Sequence, residues 1–152
     1  MKNVSVAFTV TGVVALMVFG SRNALAQWSS DPTVGVVVCA APGHQQYPQI
    51  VSDSTGGAII GWSDERNGNS DIYAQRVDAS GNVQWMTNGV PISNAATNEY
   101  GPFAVSDGSH GAILVWENVR DESDRDIFAQ RVNSSGESQW GAGGVAVVIA
   151  PG

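Results

Sequence analysis

Two charged segments, residues 64–71 and 117–125, carry the side chains of this chain best suited to bind a ligand. They read Asp-Glu-Arg-Asn-Gly-Asn-Ser-Asp and Glu-Asn-Val-Arg-Asp-Glu-Ser-Asp-Arg, and each lies just beyond an apolar run that contains a tryptophan. Charged loops of unequal length on a rigid scaffold are common binding sites. We therefore predict a ligand-binding surface formed by Asp64, Arg66, Asn69, Tyr100, Glu117, Arg120 and Asp124. The alternative is a solvated surface that keeps the sheet edges soluble.

The first charged segment also suggests calcium, because side-chain oxygen atoms lie close together on Asp64, Asn67, Asn69 and Asp71. Carboxylate and amide oxygens are the ligands that Ca²⁺ prefers. The segment lacks the glycine and terminal glutamate of an EF-hand loop, and Asn67-Gly68 is a good hairpin turn. Calcium is the only cofactor that the sequence suggests, and the turn interpretation competes with it.

The sequence predicts no catalytic residue. Asp71 and Arg76 recur as Asp126 and Arg131. A catalytic site is normally assembled once, whereas a residue that recurs in every unit builds the unit. We expect these arginines to bind carboxylates or carbonyls within or between units. We expect four tryptophans to pack between the units: Trp62, Trp85, Trp116 and Trp140.

These residues belong to a sequence repeat. Residues 48–63 match 102–117 at eight of 16 positions, and residues 71–90 match 126–145 at 12 of 20 positions. The offset is 54 in the first block and 55 in the second, so one residue is inserted between the two blocks. A period of this length indicates stacked modules.

Each unit is predicted to contain four short strands. In the first unit these are residues 49–53, 57–63, 71–77 and about 83–92, the last of them bent or bulged near Asn88-Gly89. Glycine-containing turn sequences separate them, and no helical periodicity follows residue 27. Four antiparallel strands per unit, with a tryptophan near the end of the second and another in the fourth, predict an all-β, β-propeller-like fold of two four-stranded blades.

The motifs Gly57-Ala58-Ile59-Ile60-Gly61-Trp62, Asp71-Ile72-Tyr73-Ala74-Gln75-Arg76-Val77 and Gln84-Trp85 resemble those of secreted bacterial proteins built from tandem repeats. The resemblance covers about residues 27–150. It implies a propeller-like fold and names no activity, since proteins of that kind mostly lack an assigned function.

The N-terminus predicts export. Residues 4–19 form an apolar run after Lys2, and Ala24-Leu25-Ala26 is a small-x-small cleavage site. We predict a signal peptide in 1–26, cleaved after Ala26, with an uncleaved anchor helix as the alternative. Gln27-Trp28 matches the start of the fourth strand of each unit. We therefore predict one extra N-terminal strand and a linker in 27–46, blade 1 in 47–98 and blade 2 in 99–152. Two blades cannot close a ring, so further blades or copies of the chain are needed.

Charge limits the partners. Residues 27–152 carry 14 acidic side chains, five arginines and no lysine, a net charge of −9. Such a surface repels phosphate, so we predict no nucleic-acid partner. No segment after the signal is long enough to cross a membrane. The single cysteine, Cys39, cannot form an intramolecular disulfide and is expected to be a small buried hydrophobe.

We therefore expect a secreted, periplasmic or cell-surface protein. The leading hypothesis is a non-enzymatic binding or structural propeller segment whose ligand is a protein or a glycan. Two alternatives stay open: a sugar-binding lectin formed by oligomerised two-blade subunits, and a fragment of a glycan-cleaving enzyme.

Overall fold

The computed structural model describes residues 35–121 and 124–149, which contain eight β-strands and no helix. The strands form two four-stranded antiparallel sheets, each ordered as the strands follow along the chain. The all-β prediction, with two four-stranded antiparallel units, is confirmed. The strands of the first sheet are β1 (Gln45–Ser52), β2 (Ala58–Asp64), β3 (Asp71–Val77) and β4 (Val90–Ser93). Those of the second sheet are β5 (Asn98–Ser106), β6 (Ala112–Asp121), β7 (Asp124–Val132) and β8 (Val145–Val148).

The fourth strand of each sheet is shorter than predicted. The expected strand over residues 83–92 is β4 alone, and Val83 forms only an isolated bridge with Val77. Trp85 lies in the irregular segment before β4. The prediction of a strand from residue 83 was therefore wrong over residues 83–89. The bend expected near Asn88-Gly89 is present, with φ of 67° at Asn88 and 88° at Gly89.

A glutamine side chain replaces the missing ladder bonds. Gln75 Oε1 accepts a hydrogen bond from the backbone N–H of Trp85 at 2.9 Å, and Gln75 Nε2 donates to the carbonyl of Met86 at 2.8 Å. Gln130 makes the equivalent two bonds in the second sheet. The glutamine recurs because the turn before the last strand depends on it.

The second charged segment is a strand hairpin and not the loop that its composition suggested. β6 continues through Asp121 and β7 begins at Asp124. Arg125 Nη1 lies 2.7 Å from Glu117 Oε2 on the neighbouring strand. Opposite charges on paired strands stabilise a sheet, so a run of charges is compatible with strand structure.

The two sheets pack together through one face of each. Gly61 in β2 and Leu114 in β6 meet in this interface, where a Cβ on residue 61 would lie 2.5 Å from Leu114 Cδ2. A glycine in this strand permits the close approach of the sheets. The buried core consists of Ile59, Ile72, Ala74, Trp85, Ile92, Ala112, Leu114, Trp116 and Val132.

An ion pair recurs at the same position of each sheet. Arg76 Nε donates to Asp53 Oδ2 at 3.0 Å, and Arg131 Nε donates to Asp107 Oδ2 at 2.9 Å. Arg76 Nη1 also donates to the carbonyl of Ser134 in the second sheet at 3.3 Å. The arginines therefore bind a carboxylate within a sheet and, at Arg76, a carbonyl between sheets, as expected from their recurrence.

The predicted signal peptide in 1–26 and the Gln27-Trp28 pair of the extra strand lie outside the described residues. Residues 35–44 contain no strand, and β1 begins within the predicted linker. The second sheet begins at Asn98, one residue before the predicted boundary. Within the described ranges, no helix is long and apolar enough to cross a membrane.

Candidate functional site

A groove of about 690 Å³ opens beside the seam of the two sheets, on the face of the second sheet that points away from the first, at the end that carries the charged segments. Strands β1 and β5 supply most of its aromatic side chains, and β6 and β7 supply its floor. The lining residues are Gln46, Tyr47, Glu65, Tyr100, Gly101, Phe103, Val115, Trp116, Glu117, Arg125 and Ile127.

A bulge in each first strand shapes the rim of this groove. The pairing register shifts between Gln46 and Gln49 in β1, and at the equivalent place in β5. The bulge requires a left-handed backbone, since φ is 53° at Tyr47 and 60° at Gly101, its equivalent. Glycine adopts this conformation freely, whereas a tyrosine adopts it at a cost of about 1 kcal/mol. A strained, non-glycine residue at the edge of a groove is a candidate functional residue.

Three aromatic rings are accessible from the groove. Phe103 is 72% exposed and Tyr47 is 57% exposed, while Tyr100 is half-buried. Single exposed apolar side chains are common, whereas several that lie together along one groove mark an interaction site. The groove therefore has the flat apolar surfaces that a stacked ligand needs.

Charged and amide groups flank these rings. Arg125 and Glu117 form an exposed ion pair at 2.7 Å, and Gln46 Nε2 donates to Glu65 Oε1 at 3.1 Å. Exposed pairs of this kind contribute little to stability. Their donors and acceptors can therefore be redirected to a polar ligand without a large loss of folding energy.

Tyr100 and Glu117 are the two predicted ligand-binding residues that line the groove. Asp64 and Arg66 lie outside the groove lining and bind each other. Arg66 Nε donates to Asp64 Oδ1 at 2.8 Å, and Trp62 Nε1 donates to Asp64 Oδ2 at 2.7 Å. Although burial raises the pKa of Asp64, the bonds from Arg66 and Trp62 hold it below the usual value. These two residues therefore tie down the end of β2.

Cys39 lies beside this Asp64–Arg66 pair. It is partly exposed, which differs from the predicted buried position. Arg66 Nη2 donates to its sulfur at 3.3 Å, and the sulfur lies 3.9 Å from Asp64 Oδ2. The thiol thus contacts polar groups because residues 36–39 pass over the end of β2 rather than through the core.

Asn69 and the proposed calcium ligands form a hydrogen-bonded turn. Asn69 Nδ2 donates to Asp71 Oδ1 at 2.9 Å and to the carbonyl of Ala95 at 2.9 Å, while Asn67 Nδ2 donates to Asp71 Oδ2 at 3.0 Å. Both amides thus direct nitrogen atoms, not oxygens, at the carboxylate. In the described part of the chain, no three acidic, histidine or cysteine side chains cluster as metal ligands do. A calcium site at Asp64, Asn67, Asn69 and Asp71 stays a prediction that requires this turn to rearrange.

Arg120 and Asp124, the remaining two predicted residues, pair at the tip of the second hairpin. Arg120 Nη2 lies 2.9 Å from Asp124 Oδ1 and 2.8 Å from Asp126 Oδ2. Neither Arg120 nor Asp124 lines the groove. Nine of the lining residues were not among the predicted ligand-binding residues. Five of these nine carry polar or exposed aromatic side chains: Gln46, Tyr47, Glu65, Phe103 and Arg125. Three of them could have been found as differences between the two repeats. The positions equivalent to Tyr47, Phe103 and Arg125 in the other repeat are Gly101, Gln49 and Ser70.

One further acidic residue is buried near the groove. Glu99 is 1% exposed, and its Oε1 accepts hydrogen bonds from Ser93 Oγ at 2.7 Å and Trp116 Nε1 at 3.0 Å. Its Oε2 has no hydrogen-bond partner among the described residues. Burial raises the pKa of Glu99, and the hydrogen bonds offset only part of this effect. In the first sheet, Asp64 likewise accepts a hydrogen bond from Trp62 Nε1, but Asp64 also forms an ion pair with Arg66.

Comparison of the chain with models of known protein families, with curated proteins and with solved structures found no match. The function therefore has to be argued from the groove and from the packing of the sheets.

Proposed function

We propose that this chain is a non-enzymatic, exported binding module whose two sheets are blades of an open, propeller-like stack. The identical strand order of the sheets and the packing of one face on the next support the stacked arrangement. The signal-like N-terminal sequence and the acidic composition support export. The binding role is argued from the groove.

A glycan is the ligand class that the groove favours. The observation that carries this proposal is the exposure of Tyr47 and Phe103 beside the carboxylates of Glu65 and Glu117 and the guanidinium of Arg125. Aromatic rings offer flat apolar faces for the apolar side of a sugar ring. Carboxylates accept hydrogen bonds from hydroxyl groups, and a guanidinium donates to ring and hydroxyl oxygens. This combination is the chemistry expected of the lectin alternative.

A glycan-cleaving enzyme is the second candidate, because two carboxylates line one groove. Glu65 and Glu117 are of the residue type that most glycosidases use in pairs. A binding module and an enzyme differ in one measurable property, which is turnover of a glycan that binds.

The test is a glycan array probed with the full chain, followed by calorimetric titration of the best ligand. Tyr47→Gly keeps the left-handed backbone and removes the ring, and Arg125→Gln removes the guanidinium. We expect each to weaken binding at least about tenfold, which corresponds to the loss of one well-made contact. Arg120→Gln, on the same hairpin but outside the groove, is the matched control and should bind as the unmodified chain does.

Two results would contradict the proposal. One is equal loss of affinity in Arg120→Gln and Arg125→Gln. The other is hydrolysis of a bound glycan that Glu117→Gln abolishes, which would establish the enzyme instead. Binding of a protein and of no glycan would keep the groove as a binding site but reject the glycan class.

A further inference from the structure

The face of the first sheet that packs on the second sheet is apolar at six positions: Val51, Ile59, Ile72, Ala74, Val90 and Ile92. Three of them are almost completely buried, with exposures of 0% at Ile59, 0% at Ile72 and 2% at Ile92. This face is therefore an interface that needs a second sheet to cover it.

The equivalent face of the second sheet has the same apolar character, and none of the described residues covers its positions Val105 and Val147. Its six positions are all apolar: Val105, Ile113, Ile127, Ala129, Val145 and Val147. Val105 and Val147 are each 59% exposed, whereas Ile92, the equivalent of Val147, is 2% exposed. A contiguous apolar face of this kind marks an interaction site.

Trp85 and Arg76, which anchor the edge of the first interface, have equivalents in the second sheet. Trp85 Nε1 donates to the carbonyl of Ser134 at 3.0 Å, and a Cβ on Gly136 would lie 3.0 Å from the Trp85 ring. Trp140, the equivalent of Trp85, is 37% exposed instead of 9%. The side chain of Arg131 is 38% exposed, against 19% for its equivalent Arg76.

We infer that the exposed face of the second sheet docks a further four-stranded unit of this same repeat. The docked unit presents the residues equivalent to Ala112, Leu114 and Trp116, which are the ones that cover the first sheet. The fit follows from continuity with the existing interface at these six apolar positions. Val115 stands where the first sheet has Gly61, so the docked unit lies farther from the second sheet than the second sheet lies from the first. This inference rests on the propeller-like arrangement proposed above. The docking face shares Ile127 with the groove, but the inference is argued without the groove ligand.

A second copy of this chain is a poorer occupant. Its own first sheet would have to present Ile60 and Trp62, the equivalents of Leu114 and Trp116. Residues 36–39 already lie over that surface, and they line a pocket together with Ile60 and Trp62. Trp62 is consequently only 3% exposed.

The end of the exposed face that lies next to the groove differs in sequence from the first interface. This difference links the docking surface to the groove. Ser63 Oγ accepts a hydrogen bond from Gly101 N at 3.2 Å, and Ser70 Oγ donates to the Glu99 carbonyl at 2.8 Å, which closes the seam between the sheets. The equivalent positions in the second sheet are Glu117 and Arg125. These larger charged residues hold the seam open at that end, so a docked unit adds a further wall to the groove.

The test extends the full chain after Gly152 with a second copy of residues 98–149. Residues 149–152 then have the same length as the connection 94–97 between the sheets, so the added unit has the spacing of the existing one. Val147→Cys in a Cys39→Ser background reports the exposure of the face through its rate of maleimide labelling. Ser80→Cys, which is exposed elsewhere, is the matched reporter.

We expect labelling of Val147→Cys to slow at least about tenfold in the extended chain, while labelling of Ser80→Cys is unchanged. Leu114→Asp in the added copy alone should restore fast labelling. An added unit that stays unfolded by circular dichroism, or that folds without protecting Val147→Cys, overturns the inference. Protection in the unextended chain together with a dimer mass also overturns it, because a second copy would then be the occupant. Glycan binding is measured on the unextended chain, so failure of the groove proposal leaves this result intact.

Discussion

Glu99 combines burial with an incompletely hydrogen-bonded carboxyl group. A buried polar atom without a partner costs free energy, and the cost is greater when the group is charged. The pKa of Glu99 is raised because burial disfavours the ionised form. The folded state therefore holds this proton at pH values where the unfolded chain has released it, so stability falls as pH rises through that window.

Replacing the carboxyl with an amide removes this dependence. We expect Glu99→Gln to be more stable than the unmodified chain at pH 7 by about 1 kcal/mol, because the amide carries no buried charge. The difference should vanish below about pH 4, where the carboxyl is protonated in both folded and unfolded chains. Urea unfolding at pH 4, 5.5 and 7 measures it. A constant difference at all three pH values would show that packing, and not ionisation, causes the effect.

For single residues, the sequence shows which side chains are charged but not whether each of them is exposed or buried. Sequence reasoning selected Asp64 and Glu117 together as exposed acids next to a tryptophan-ended strand. Asp64 is 0% exposed, whereas Glu117 lines the groove. The difference arises because Arg66 folds back over Asp64, and no local pattern in the sequence encodes that contact.

At the scale of elements, the repeated ion pair joins the first, second and third strands of each sheet. Asp53 accepts hydrogen bonds from the backbone N–H groups of Thr55 and Gly57, as well as from Arg76. Burial raises the pKa of Asp53, but these bonds outweigh it and lower the pKa to about 2. The turn between the first two strands is thus held by one carboxylate in each sheet, Asp53 in the first and Asp107 in the second.

The two copies of this ion pair form a matched experiment. We expect Arg76→Met to lower the free energy of unfolding by about 3 kcal/mol and Arg131→Met by about 2 kcal/mol, since each leaves a buried aspartate unpaired. The additional loss at Arg76 is the hydrogen bond to Ser134 between the sheets. Urea titration followed by circular dichroism measures both values. A larger effect at Arg131 would contradict the described interface.

The hairpin of β6 and β7 shows where element prediction fails. A run of charges indicates a loop when each charge is considered alone. Here Glu117 and Arg125 lie close enough for an ion pair across the hairpin. Because β6 pairs with β7 across the hairpin, the predicted loop is instead part of a ten-residue strand and a nine-residue strand.

At the scale of the whole molecule, buried carboxylates with opposite pKa shifts set the pH of greatest stability. The pKa values of Asp53 and Asp107 are lowered, because hydrogen bonds to the charged form outweigh burial. Their contribution is complete above about pH 3.8 and is lost as pH falls through their lowered pKa values. Glu99 acts in the other direction and destabilises the fold as pH rises above about 4.5.

We therefore expect the melting temperature to peak between about pH 4 and pH 5.5. The isoelectric point of about 4.5 lies in the same range, so repulsion among the excess acidic groups is also smallest there. Melting followed by circular dichroism from pH 2 to pH 9 measures the profile. A maximum at pH 7 or above would contradict the assignment of Glu99 as the destabilising group.

The sequence by itself determined the strand-rich class, the division into two four-stranded units and the structural role of the repeated Asp71 and Arg76. These features depend on alternation, turn residues and recurrence, all of which are local or periodic. Only the tertiary structure decided which charges are exposed, where the groove opens, and that one apolar face is covered while its equivalent is left open by the described residues. The physical reason is that burial depends on which strand of the other sheet approaches a side chain, and that approach is set by packing at Gly61 and Leu114.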